Sequence, residues 1–95
     1  MDRKHVIVRG DKSGVFFGEF VERKDQEVKL ANCRRLWYWE GACSISQLAV
    51  DGTSKPDECK FTVTVKGIEI LDAIEVIPCE DKAVKSIMYV KEWKR

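Results

Sequence analysis

Six consecutive residues carry the richest chemistry in this 95-residue chain: Arg34-Arg35-Leu36-Trp37-Tyr38-Trp39. Guanidinium groups pair with phosphate oxygens through a planar fork of donors, and indole and phenol rings offer flat faces on which a base can stack. Alternate side chains of an extended segment share a face. Arg35, Trp37 and Trp39 are therefore expected on one side, with Arg34 and Tyr38 on the other. The row reads as a nucleotide or nucleic-acid site with Arg34, Arg35, Trp37 and Trp39 as ligand residues. A second reading stands beside it: a core strand with buried Trp rings and arginines capping its end, because large aromatics dominate small cores. An arginine next to inward aromatics needs an anionic partner. A carboxylate of the same chain meets that need as well as a ligand does.

Two further sets of residues could touch the same ligand. Lys12 and Ser13 precede Gly14 in a turn whose backbone N–H groups could cradle a phosphate. The turn lacks the spacing of a phosphate-binding loop, and an ordinary β-turn is the better explanation of it. Ser44 and Gln47, three residues apart, could contact a ligand at a helix start, but that spacing is also a capping box. The four cysteines, Cys33, Cys43, Cys59 and Cys79, stand ten, sixteen and twenty residues apart, and the one histidine is His5. No closely spaced ligand pair is present, so neither a zinc site nor a disulfide is expected, and no cofactor. No nucleophile, base and orienting group can be assembled from such a set, which argues against an enzyme.

The elements that must position these residues are mostly strands. His5–Arg9 is short and β-branched and meets a turn at Gly10-Asp11. Gly14–Glu22 has Val15, Phe17 and Val21 on one parity and Phe16 and Phe20 on the other, as in a curved strand of a small barrel. A charged turn at 23–26 leads to Glu27–Ala31, where Val28 and Leu30 alternate inward, and then to the extended segment Asn32–Glu40. Ser44–Asp51 predicts a short helix, with Gly52 as its stop. Phe61–Val65 predicts a strand turning at Lys66-Gly67 into a partner, Ile68–Leu71. Ala73–Ile77 predicts another strand, and Glu80–Met88 a second short helix, after which Val90 and Trp93 pack back onto the sheet. The expected fold is mainly β: a small SH3-like or Sm-like antiparallel barrel with two short helices, an open α+β sheet being the alternative.

Composition bounds the rest. A chain of this length makes a single domain, 1–95. Lys and Arg number 17 against 16 Asp and Glu, a formal charge of +1, which excludes a basic field strong enough for non-specific nucleic-acid binding. No apolar run reaches membrane-spanning length, and the first residues do not read as a signal peptide, so a cytoplasmic protein is expected. So small a barrel leaves strand edges for neighbours, which predicts a homo-oligomer.

Taken together, the Val6–Arg9 strand, Ser13-Gly14-Val15, Arg34–Trp39, Gly41–Ala49 and Ala73–Cys79 resemble a family of small proteins encoded by tailed phages and prophages. The likeness covers nearly the whole chain, and Arg34–Trp39 and Gly41–Ala49 are its most specific parts. Asp11-Lys12-Ser13 departs from the family's uncharged turn, and Cys33 stands where alanine is usual. The resemblance implies a setting rather than an activity. In that setting the expected function is a non-enzymatic, oligomeric anti-defence protein that sequesters a nucleotide-like signal, such as a cyclic oligonucleotide or an ADP-ribose derivative. The alternative is an inhibitor that binds a host defence protein, or a virion accessory protein, with no small-molecule ligand.

Overall fold

A computed structural model of the chain describes residues 3–94. In chain order it contains strands β1 (His5–Gly10), β2 (Val15–Lys24) and β3 (Glu27–Tyr38), helix α1 (Ile45–Asp51), a 3-10 turn at Pro56–Glu58, strands β4 (Lys60–Phe61), β5 (Val65–Ile70) and β6 (Ala73–Pro78), and helix α2 (Asp81–Tyr89). The strands form one antiparallel sheet in the order β6, β1, β2, β3, β4, with β5 beside the first half of β3. The fold is therefore mainly β, with two helices, as the patterning predicts. No helix among the described residues is long and apolar enough to cross a membrane.

β5 and β6 lie on opposite edges of the sheet, yet only Leu71 and Asp72 separate them. The sheet must curl until its two edges meet at that corner. The barrel is thus closed by the chain itself, with no ladder between β5 and β6. Asp72 pins the corner to the turn between β1 and β2. Its carbonyl accepts from Asp11 N–H at 2.9 Å, and its carboxylate accepts from Lys12 N–H at 2.8 Å, Ser13 N–H at 3.1 Å and the Ser13 hydroxyl. Ala73 N–H adds a bond to the Gln26 carbonyl at 3.0 Å.

Both faces of the curled sheet carry apolar side chains. Val6, Val8, Phe16, Val28, Leu30, Cys33 and Ile70 fill the inside, while Ile7, Phe17, Leu36 and Phe61 meet Leu48, Ala49 and Ile87 of the helices outside. This double core is why both parities of β2 are apolar. β3 changes phase on the way. Val28 and Leu30 point inward on even positions, Asn32 adopts a left-handed φ of 47°, and Cys33 then points inward on an odd one. Such a bulge places one extra residue against its partner strand. Opposite it lies Gly18, where a Cβ would sit 2.8 Å from the Cβ of Cys33 and 3.1 Å from the Ala31 carbonyl oxygen, so the close approach excludes a side chain.

The predicted segments Glu27–Ala31 and Asn32–Glu40 are one bulged strand. The predicted hairpin of Phe61–Val65 with Ile68–Leu71 does not form. β4 ends after Phe61, and β5 runs straight through Lys66 and Gly67, with Gly67 opposite Ala31. Both segments pair with β3, whose twelve residues are long enough to serve two partners in succession.

Arg34 joins the helical layer to the sheet. It is 4% exposed and makes four hydrogen bonds to main-chain carbonyls: Nε to Thr62 at 3.0 Å, Nη1 to Ile87 at 3.0 Å and Val90 at 2.8 Å, and Nη2 to Phe61 at 3.1 Å. Its guanidinium also lies 5.5 Å from the centre of the Phe61 ring. Two of those carbonyls stand at the C-terminal end of α2, where the helix dipole favours a cation. Burial pushes the Arg34 pKa down, and the Glu92 charge opposes that shift.

Two outcomes follow from these contacts. Arg34→Met keeps much of the volume but strands four carbonyls, each costing about 1–3 kcal/mol when buried and unsatisfied. A loss of about 3–5 kcal/mol is expected in urea unfolding, and a loss below about 1 kcal/mol would contradict the clamp. The second concerns pH. The Ser13 hydroxyl, with the N–H groups of Lys12 and Ser13, holds the Asp72 carboxyl below its ordinary range. Its contribution is therefore complete above the unfolded value of about 3.9 and disappears as pH falls through the lower folded value. Thermal midpoints measured from neutral to acid pH should fall more steeply for the wild type than for Asp72→Asn. Parallel curves would show that no charged carboxylate holds the corner.

Candidate functional site

The mouth of the barrel is lined by the turn between β1 and β2, the start of β2, the middle of β3 and the end of β5. Arg35 sits opposite Phe16 in the β2–β3 register, and its guanidinium lies 4.5 Å from the centre of that ring. Its Nη1 donates to the Ser13 carbonyl, and its backbone N–H donates to Thr62 Oγ1 at 3.0 Å. Gly14 permits this approach: its φ is +112°, and a Cβ there would stand 3.1 Å from Arg35 Nη1. Among the described residues no carboxylate forms an ion pair with Arg35. The cation is half-buried, rests on an aromatic face and keeps N–H donors for another partner.

Beside it is a depression of about 600 Å³. Phe16, Ile68, Ile70 and Leu71 form its apolar surface, with Lys12, Ser13, Arg35, Glu69 and Asp72 around them. Leu71 is 67% exposed, unusual for a leucine that has only solvent to meet. A larger depression of about 780 Å³ lies between the start of β1, the end of β6 and α2. Of its three cations, Arg3, Lys4 and Lys85, Arg3 already faces Glu19 at 3.6 Å. Its thiol, Cys79, is pushed up to about 12 by burial and stays protonated, a poor nucleophile despite sharing that depression with His5. The barrel mouth is the better candidate because its cation, unpaired among the described residues, is half-buried on an aromatic ring beside an apolar wall.

Of the eight residues singled out in the sequence, the structure brings Lys12, Ser13 and Arg35 together at this mouth. The backbone donors of the Lys12-Ser13 turn do cradle an anion, but it is the chain's own Asp72, so the Lys12 side chain is what remains for a ligand. Arg34 points the other way, under the helices, and is held by carbonyls rather than facing solvent. Trp37 is 63% exposed and stacks on Trp93, with ring centres 6.3 Å apart and planes within 8°. Trp39 turns to the helix-side core. A register shift between Leu36 and Tyr38 breaks the alternation that would have aligned Trp39 with Arg35 and Trp37. Ser44 and Gln47 cap α1 away from the mouth: Ser44 Oγ accepts from Gln47 N–H at 3.1 Å, and Gln47 Oε1 accepts from Cys43 N–H at 2.8 Å.

Phe16 and the Ile68–Leu71 wall were missed as site residues, and Lys60 and Trp93 were missed as neighbours of Tyr38 and Trp37 outside the mouth. Nothing local in the sequence marks them. Lys60 meets Tyr38 through the β3–β4 register, and Trp93 arrives because the segment after α2 runs beside Phe61, bridging at Glu92. All four cysteines are free thiols, and burial pushes Cys33 up to about 11. Among the described residues no group of three His, Cys, Asp or Glu side chains could hold a metal ion. The arrangement sets an apolar wall beside a cation that has no ion pair among the described residues, with the Glu69 and Asp72 carboxylates on the same rim.

The chain matches no curated protein and no solved structure. A family model described as Domain of unknown function (DUF6948) matches residues 3–87, which includes every residue of the barrel mouth and stops short of Trp93. The matched span covers most of the chain, and the protein belongs to that family.

Proposed function

We propose that the protein is a non-enzymatic binding module for a nucleotide-like ligand, held at the barrel mouth. The observation that carries this reading is Arg35: a half-buried guanidinium on the Phe16 ring that has no carboxylate partner among the described residues. A ligand phosphate supplies the missing charge, with the Lys12 ammonium beside it. A flat ring lies on the Ile68–Leu71 wall, and Glu69 accepts from a ribose hydroxyl or an exocyclic amine. In the phage setting suggested by the sequence, binding alone is an activity, since a protein that holds a nucleotide signal lowers its free concentration and blunts a host defence.

The proposal extends to a homo-oligomer. β5 pairs only with β3, and β6 only with β1, among the described residues. Along the same stretch Val63, Val65, Leu71 and Ile74 are exposed. Open edges beside exposed apolar side chains are a template for pairing with another copy.

Calorimetric titration with AMP, ADP-ribose and linear or cyclic dinucleotides tests the ligand reading. At least one should bind, and Arg35→Ala should weaken it about 10- to 100-fold, as expected for a charge-assisted hydrogen bond. Failure of every compound, or binding unchanged in Arg35→Ala, would shift the assignment to a protein-binding role. Sedimentation equilibrium at micromolar concentration should give at least a dimer mass. A single-chain mass would remove the oligomer from the proposal.

A further inference from the structure

Arg35 is one end of a longer surface. The pair Leu36–Phe61 lies in the helix-side core, and the next pair in the register is Tyr38–Lys60. Alternation along β4 puts Lys60, and Tyr38 opposite it, on the face away from the helices, which is the face of Arg35. The bulge between Leu36 and Tyr38 lets Trp37 share that side with Tyr38. Trp93 is brought there by its N–H bond to the Phe61 carbonyl at 2.8 Å. Its ring stacks with Trp37, and the Lys60 ammonium lies 5.5 Å from the centre of the Trp93 ring and 5.9 Å from that of Tyr38.

Two of the carboxylates around this platform are engaged, while Glu58, whose charge acts on Tyr38, has no ion pair among the described residues. Glu40 accepts the Tyr38 hydroxyl, and Glu92 faces the Lys94 ammonium at 3.3 Å. Lys60, like Arg35, has aromatic faces for company and no ion pair among the described residues. Across β3 and its neighbours the order is therefore the Arg35 cation, an indole pair of exposed Trp37 and half-buried Trp93, and the Lys60 cation. Lys60 is paired with Tyr38, three residues of β3 beyond Arg35 and one strand across, a backbone separation on the order of 10 Å that the two long side chains must narrow to meet successive phosphates.

We infer that this face of β3 binds a short single-stranded oligonucleotide rather than a mononucleotide, with one phosphate at Arg35, the next at Lys60 and a base on the Trp37–Trp93 stack. The inference rests on the reading of Arg35 as a phosphate site and adds the direction in which the ligand extends. A formal charge of +1 makes the attraction a matter of these two contacts rather than of a broad field. Two phosphates neutralised on a single strand correspond to a slope of log affinity against log salt of about −1.4.

Tryptophan fluorescence of the full chain, titrated with AMP, with linear diadenylate pApA and with hexathymidylate, tests the extension. Diadenylate should bind about tenfold tighter than AMP or better, since one stacked base is worth about that much. Trp37→Leu and Lys60→Met should each remove that advantage and leave AMP binding unchanged. Trp37 is mostly solvent-exposed, and Lys60→Met changes no core residue, so at least one of the two variants keeps the fold. If AMP and diadenylate bind equally and neither variant matters, the extension along β3 is wrong while the Arg35 site stands. If hexathymidylate binds with a slope several times steeper, a broad electrostatic track replaces the two-phosphate site. If no probe binds, the extension is wrong, and the Arg35 reading falls with it unless ADP-ribose or a cyclic dinucleotide binds.

Discussion

A buried guanidinium has to find acceptors for its donors, and much of this fold is arranged around how Arg34 does so. Its charge is satisfied by carbonyls of two kinds: the last turn of α2 and the segment at Phe61 and Thr62. The helix end supplies a favourable dipole, and the strand supplies the neighbouring pair. One side chain thereby fixes the docking of α2, the stub of β4 and the path of the segment after it. With the Thr62 carbonyl held by Arg34 and its hydroxyl accepting from the Arg35 N–H, the chain leaves β4 after two residues instead of turning into a hairpin. β5 then finds its partner further back along β3.

Arg34 and Arg35 are adjacent and chemically identical, yet they do opposite work. Neighbours on a strand point to opposite faces. One guanidinium goes under the helices, where burial demands full hydrogen bonding. The other goes to the barrel mouth, where Phe16 supports it from below and solvent reaches it from above. Which arginine goes where is decided by the bulge at Asn32, because that extra residue reverses the parity of everything after it. A strand without the bulge would carry Arg34 inward and present Arg35 to the helices.

The corner at Leu71-Asp72 shows how a small sheet manages closure without a complete ring of ladders. Three consecutive N–H groups of the β1–β2 turn converge on Asp72, one on its main-chain carbonyl and two on its carboxylate, and these bonds replace the missing strand pairing. The same turn supports the Arg35 guanidinium through the Ser13 carbonyl. The barrel's closure and the candidate site therefore share residues.

Much of this was legible in the residues alone. Short-range physics sufficed for the strands β1, β2 and β6, both helices, the inward Val28 and Leu30, the capping by Ser44 and Gln47, and the return of Val90 and Trp93 to the sheet, because each depends on periodicity or on groups a few residues apart. An aromatic and basic row in an extended segment was legible too. The phase of that row was not, since a bulge depends on the strand packed against it, here through Gly18 and Cys33. Nor were the partners of Phe61 and Val65, because β3 competes with the local turn at Lys66-Gly67, and long-range pairing wins when it buries Ile68 and Ile70 against Val28 and Leu30. Amino-acid types determined that two arginines and two indoles would share one extended segment and that a tight turn would precede β2. Tertiary packing alone decided which arginine was buried and which stayed available, because burial is a property of the surface a side chain is pressed against and not of the side chain itself.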